Sequence, residues 1–120
     1  MSDVALADVR AALGVDGVVL LDVRSPAEHT GAVVAPCDPR AGRIPGSIGL
    51  PLDELLGLAP AEIAERIGAP GAVRVIAYCH SGQRSAVAAN ALRALGFDVA
   101  NYVGSWHEWS RDPTLPIETG

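Results

Sequence analysis

The stretch from Val73 to Gly96 reads VRVIAYCHSGQRSAVAANALRALG. Its opening, with Val73, Val75, Ile76 and Tyr78, is the short apolar, β-branched run of a buried strand. The run ends on Cys79. His80-Ser81-Gly82-Gln83-Arg84 then leads directly into a helix with Val87, Ala88, Ala91, Leu92 and Leu95 on one face, stopped by Gly96. A cysteine is therefore expected at the carboxyl end of a strand, facing a helix N-terminus. There, unpaired N–H groups and the helix dipole favour an anion. A thiol in such surroundings falls from its free pKa of about 8.5 to roughly 3.5–7.5. The pattern predicts a nucleophilic sulfur.

Outward from this stretch the same alternation of strand and helix recurs. Ser2-Asp3 is expected to cap a helix through Leu6, Val9 and Leu13 that Gly14 closes. Val18 to Leu21 reads as a buried strand ending in Asp22-Val23-Arg24. Ser25-Pro26-Ala27-Glu28 is a capping box with proline at the first helical position. A long Gly- and Pro-rich connection, Thr30 to Gly46, leads to a short strand at Ser47–Leu50 and helical pieces at 53–58 and 60–67. Val99 to Val103 is the last strand, Ser105 to Glu108 a second capping box, and the tail from Arg111 is expected to be extended. Such alternation predicts an α/β domain over residues 1–120, with a mainly parallel sheet covered on both faces. Ligands of these sheets bind beyond the carboxyl ends of the strands, where Cys79 falls.

Around Cys79, Arg84 is the candidate for holding an anionic substrate, because a planar guanidinium stays charged at every working pH. Gly82 is expected to adopt a conformation closed to other residues, letting amides point inward. Ser81 and Ser85 can each donate a hydrogen bond or serve as turn and cap residues. His80 is read as an exposed loop histidine and not a general base. Asp22 and Arg24, at the same sheet edge, are read as supporting residues: Asp22 accepts hydrogen bonds and Arg24 pairs with a buried carboxylate. Cys37 is read as incidental, with a thiol that resolves Cys79 into a disulfide as the alternative. Trp106 and Trp109 form a packing patch.

With 49% hydrophobic residues over 120, the chain has enough apolar material for one real core. The net charge of −5 speaks against nucleic acid as a partner. No apolar stretch approaches the roughly 20 residues of a membrane span. MSDVALADVR lacks the basic and apolar blocks of a secretory leader, so the expected location is cytoplasmic, with both cysteines free. His29, His80, His107 and the cysteines show no metal-ligand spacing along the chain, so no metal is expected.

Four pieces in order resemble the rhodanese (thiosulfate sulfurtransferase) family: LDVRSPAE at 21–28, GRIPGS at 42–47, CHSGQRS at 79–85, and YVGSW at 102–106 running to LPIE at 115–118. The likeness runs from Leu20 to Glu118 and is nearest to the catalytic C-terminal half of two-domain members. It implies a three-layer fold around a five-stranded sheet, Cys79 as the catalytic nucleophile, and a substrate loop of His80, Ser81, Gly82, Gln83, Arg84 and Ser85. The implied reaction moves a sulfane sulfur from a small anionic donor such as thiosulfate to cyanide or a thiol through a Cys79 persulfide, without cofactor. A thioredoxin-like reductant is a further candidate partner. The chain departs from the family in having Arg43 where histidine is usual, and Glu28 where some two-domain members place an arginine near the substrate. Two alternatives remain at this point. One is a non-enzymatic sulfur-relay or regulatory module. The other is a cysteine phosphatase or arsenate reductase, which needs Cys-x5-Arg, whereas here the arginine comes one place earlier.

Overall fold

The computed structural model describes residues 3–120. In chain order the elements are β1 (Asp3–Val4), α1 (Leu6–Ala12), β2 (Val18–Asp22), α2 (Pro26–Thr30), β3 (Ile48–Gly49), α3 (Leu52–Gly57), α4 (Pro60–Ile67), β4 (Arg74–Tyr78), α5 (Gln83–Ala94), β5 (Asp98–Tyr102) and α6 (Ser105–Trp109). The five strands form one sheet in the order β1-β5-β4-β2-β3, and every pair is parallel. The expected α/β architecture is thus present, with a sheet wholly rather than mainly parallel.

Period-two alternation along the strands sorts side chains into two cores. Leu21, Val75, Ala77, Cys79 and Val99 pack with Leu55 of α3, Ile63 and Ile67 of α4, and Ala88, Ala89 and Leu92 of α5. Leu20, Ile76, Tyr78 and Tyr102 face the other way, against Val9 of α1 and Trp106 and Trp109 of α6. Cys79 continues the parity of Val75 and Ala77, so its sulfur lies on the α5 side of the sheet. From β2 the chain moves outward to β3, and from β4 it moves the opposite way to β5. The loops after β2 and β4 therefore part at a crevice, the usual place for a ligand in such a sheet.

Several expectations change. Asp3 does not cap a helix: Asp3–Val4 is an edge strand in register with Asn101 and Tyr102, and α1 starts after Ala5, whose N–H donates to the Asp8 carboxylate at 2.9 Å. Ser2 lies outside the described residues. The buried face of α5 is Ser85, Ala88, Ala89 and Leu92, while Val87 and Leu95 are exposed; the helix begins two residues earlier than the apolar pattern suggests, at Gln83. Ser105 makes no capping box. It sits at φ +54°, and its hydroxyl donates to the Tyr102 carbonyl at 2.7 Å. Glu108 instead accepts the Tyr102 hydroxyl at 2.7 Å. The tail is held down: Arg43 and Glu118 exchange both backbone hydrogen bonds, and Leu115 is buried. Arg40 secures this corner by donating to the carbonyls of Trp109, Ser110, Asp112 and Leu115, a cation where helix α6 leaves its carbonyls unpaired. The Ser25–Glu28 capping box forms as read, with Glu28 N–H on Ser25 Oγ at 3.2 Å and Ser25 N–H on Glu28 Oε1 at 3.1 Å.

At the carboxyl end of β2, Asp22 and Arg24 are both buried. Arg24 Nε and Nη2 reach the two Asp22 oxygens at 2.9 and 2.8 Å, and Nη2 also donates to the Gly42 carbonyl at 2.6 Å. The guanidinium lies 5.0 Å from the Trp106 ring centre and 5.6 Å from that of Tyr78, where the π faces offer further negative charge. Tyr78 Oη and His29 Nδ1 complete the set on Asp22 Oδ2, at 3.2 and 2.8 Å. Burial pushes the Asp22 carboxyl up, but the hydrogen bonds from His29 and Arg24 and the Arg24 charge outweigh it and hold it below the usual range. Because the folded-state value is depressed, the stabilisation is complete above the unfolded pKa of about 3.9 and is lost as pH falls through the folded value. Asp22→Asn strands a buried guanidinium and is expected to cost about 3–5 kcal/mol, read by denaturant melts at neutral pH. The gap between wild type and variant should narrow below pH 4; a gap that stays constant across the acid range would remove the ionised pair as its cause.

Candidate active site

Cys79 follows the last residue of β4, and the turn to α5 folds over its sulfur. The thiol is 1% exposed. Gly82 N–H donates to Sγ at 3.1 Å and the Ser85 hydroxyl at 3.4 Å. Burial pushes the thiol up; the Ser85 hydroxyl and the N–H groups of Ser85, Ser81 and Gly82 outweigh it and leave the thiol below its ordinary value. Cys79 thus stands at the carboxyl end of its strand against the start of α5, with the Gly82 N–H and, of the two serines that could donate, the Ser85 hydroxyl on its sulfur. Ser81 contributes its backbone while its side chain is exposed, and Gln83 is exposed in the first turn of α5.

Gly82 is where the loop needs glycine. Its φ is +91°, and a Cβ there would stand 2.7 Å from the Val103 carbonyl oxygen. Two residues that the sequence reading passed over hold the loop from beneath. Asn101 Nδ2 donates to the Gly82 carbonyl at 3.1 Å, and Ser105 Oγ accepts the Cys79 N–H at 3.1 Å. The N–H groups of Trp106 and His107 cap the Cys79 and His80 carbonyls, both at 2.9 Å. The segment from β5 into α6 is thus a platform for the loop. An Asn inside an otherwise apolar strand was the available signal for Asn101; Ser105 was disguised by a capping-box pattern.

Arg84 is not a free cation. Its Nη1 and Nη2 pair with Glu28 Oε1 and Oε2 at 2.9 and 3.2 Å, across from α2. The hydrogen bonds to Glu28 raise its already high pKa, so the charge is permanent but shared. A groove of about 480 Å³ opens beside it, lined by Val23, Ser25, Leu52, Asp53, Glu54 and Arg84. Cys79 is not among the residues that line this groove. His80 is half-buried and not the exposed loop histidine expected: its Nε2 turns to Asp38, 2.9 Å from Oδ2, and its ring meets His107 edge-on at 5.4 Å. Cys37 is exposed, with Sγ 3.9 Å from that same His80 nitrogen.

The family model for rhodanese-like domains matches residues 5–112. The chain belongs to this family. A "Probable 3-mercaptopyruvate sulfurtransferase" of Pseudomonas aeruginosa is 37% identical over 124 aligned positions, covering 95% of this chain and 43% of that protein. SseB of Mycobacterium tuberculosis strain H37Rv is 40% identical over 116 positions, covering 89% of this chain and 40% of that protein. A solved structure titled "Crystal Structure of Probable Thiosulfate Sulfurtransferase" superimposes with a TM-score of 0.75 at 45% identity, over 97% of this chain and 47% of that one. This rhodanese-like chain thus spans less than half the length of these relatives. No helix among its described residues is long and apolar enough to cross a membrane.

Gly82→Ala tests the loop geometry. The added methyl must displace the Val103 backbone or the loop, at about 1–3 kcal/mol of strain, and it withdraws the Gly82 N–H from Sγ. Alkylation of Cys79 by a neutral reagent at fixed pH is expected to change several-fold, with a lowered melting temperature. An unchanged rate and melt would mean that the loop does not depend on this conformation.

Proposed function

We propose that this rhodanese-like domain is a sulfurtransferase in which Cys79 carries a sulfane sulfur from thiosulfate, or a similar donor, to a thiophilic acceptor such as cyanide or a thiol. The observation that carries the reading is the Cys79 sulfur itself, buried at the end of β4 and met by the Gly82 N–H and the Ser85 hydroxyl. In the first step the Cys79 thiolate attacks the outer sulfur of thiosulfate. The sulfur–sulfur bond breaks, and sulfite leaves with the electron pair. The persulfide's terminal sulfur anion then meets the amides that had held the thiolate. In the second step the acceptor attacks that terminal sulfur and Cys79 departs as thiolate. Splitting the transfer in two predicts ping-pong kinetics, and donors already fixed around the sulfur stabilise each anion without reorganising. The four-residue spacing between Cys79 and Arg84 encloses less space than a phosphate-binding Cys-x5-Arg loop, which disfavours phosphoryl chemistry.

Intact mass after incubation with thiosulfate should show the gain of one sulfur atom in the wild type and none in Cys79→Ser, whose fold should survive. Labelling elsewhere on the chain, or turnover in the serine variant, would overturn the assignment.

Arg84 supplies attraction for an anionic donor, and Glu28 moderates it. Arg84→Ala removes a charge-assisted contact of about 1.5–3 kcal/mol and is expected to lower kcat/KM for thiosulfate by about 10-fold or more. Glu28→Gln keeps a capping side chain for α2 yet releases the guanidinium, so kcat/KM for thiosulfate should rise. If both variants behave like wild type, Arg84 has no part in donor binding.

A further inference from the structure

On the side of the Cys79 loop away from the sulfur's hydrogen-bond donors, three segments far apart in the chain bring four metal-binding side chains to one point. Cys37 and Asp38 come from the long connection, His80 from the active-site loop and His107 from α6. One ligand atom from each lies within 4.8 Å of all the others. The closest approaches are 2.9 Å for His80 Nε2 to Asp38 Oδ2, 3.2 Å for His107 Nδ1 to Asp38 Oδ1, and 3.9 Å for Cys37 Sγ to His80 Nε2. Tetrahedral zinc, with bonds of about 2.0–2.3 Å, sets its ligand atoms roughly 3.2–3.8 Å apart, so the cluster is already near that size.

Asp38 gives the second, independent sign. Its side chain is 1% exposed, and Oδ2 is buried without a hydrogen-bond partner. The nearest polar atom is His80 Nε2 at 2.9 Å, a contact that makes no hydrogen bond and leaves this oxygen and this nitrogen side by side in the cluster. An orphaned carboxylate oxygen in such a place is costly unless something pairs with it. The other oxygen, Oδ1, takes Arg111 Nη1 at 3.0 Å, and Arg111 also donates to the Cys37 carbonyl. Arg111 therefore orients the carboxylate from outside, the role that outer partners play at metal sites.

We propose that Cys37 Sγ, a carboxylate oxygen of Asp38, His80 Nε2 and His107 Nδ1 form a site for a divalent transition metal of the zinc class. One thiolate, one carboxylate and two imidazoles are the mixed donor set that zinc accepts, and the thiolate disfavours magnesium and calcium. On binding, the Cys37 thiol loses its proton to solvent, and the two negative ligands neutralise the ion. The site ties the long connection and α6 to the residue that follows the nucleophile. An occupied site also keeps Cys37 from a disulfide with Cys79. The inference stands on the cluster alone and does not require sulfur transfer.

Chelator-treated protein titrated with cobalt(II) is the test. Wild type should take up one ion per chain, with a thiolate-to-cobalt charge-transfer band and the intense visible bands of a tetrahedral ion, and zinc should displace it. Cys37→Ser should abolish the charge-transfer band, and His107→Gln should weaken binding by about 10-fold or more. Both replaced side chains are surface-accessible, and melting curves in chelator establish that the variants fold. Cys79→Ser should leave stoichiometry and spectrum intact. A wild type without tetrahedral bands, a band that survives Cys37→Ser, or a band lost in Cys79→Ser would each overturn the site.

Discussion

A positive charge that has nowhere to go shapes the crevice side of this molecule. Arg24 is 3% exposed, and a buried guanidinium is tolerable only where its donors and its charge are met on every side. Asp22 meets it from the end of β2, the Gly42 carbonyl from the long connection, Tyr78 from β4 and Trp106 from α6. Asp22 in turn takes the Tyr78 hydroxyl and the His29 ring. The Tyr78 hydroxyl is also reached by the Ile44 N–H at 3.1 Å and lies 3.0 Å from Ser47 Oγ. One ion pair thus fixes β2, β4, α2, α6 and the connection relative to one another. Tyr78 directly precedes Cys79, so the strand that presents this cysteine is anchored on its opposite face by this network.

What the sequence shows clearly is what acts over a few residues. The alternation in Val75-Ile76-Ala77-Tyr78 assigns faces, Ser25 and Glu28 announce a helix start, and Gly96, at φ +93°, a helix stop. Cys79 could be placed because its surroundings are local: Gly82 and Ser85 are three and six residues away. Arg40 illustrates the other class. Its carbonyl partners lie 69 to 75 residues along the chain, and no spacing rule links them. The same holds for Cys37 and His80, 43 residues apart. Spacing along the chain reports a metal motif only when the ligands share a turn or a hairpin; here three segments supply them. β1 was missed for a different reason. Two residues carry no period, and only the free edge of β5 makes them a strand.

Misreadings came where a local pattern had been put to long-range use. Ser105 and Glu108 have the spacing of a cap, yet Ser105 Oγ accepts the Cys79 N–H and Glu108 holds Tyr102. A serine at positive φ is strained, and the strain is stored beneath Cys79, where the surrounding hydrogen bonds determine the conformation. Val87 and Leu95 fit an apolar stripe, but the helix turns Ser85 inward instead, because its hydroxyl is needed at the sulfur. The buried α5 face is therefore small, two alanines and Ser85, with Leu92 supplying most of the bulk.

Glu28 joins the two scales. Its Oε1 accepts both the Ser25 N–H that starts α2 and the Arg84 guanidinium at the start of α5. Burial pushes this carboxyl up, while Arg84 and the Ser25 backbone hold it down more strongly, so it stays ionised below the usual carboxylate range. A helix cap and the charge balance of the candidate active site therefore rest on one carboxylate. Arg84 shares its charge with this carboxylate, and Asp53 and Glu54 line the groove beside it. An anion placed here would meet a weaker field than a lone arginine gives. The Arg84 charge also acts on Cys79, so the balance set by Glu28 reaches the sulfur under its amides and hydroxyl as well as the groove beside them.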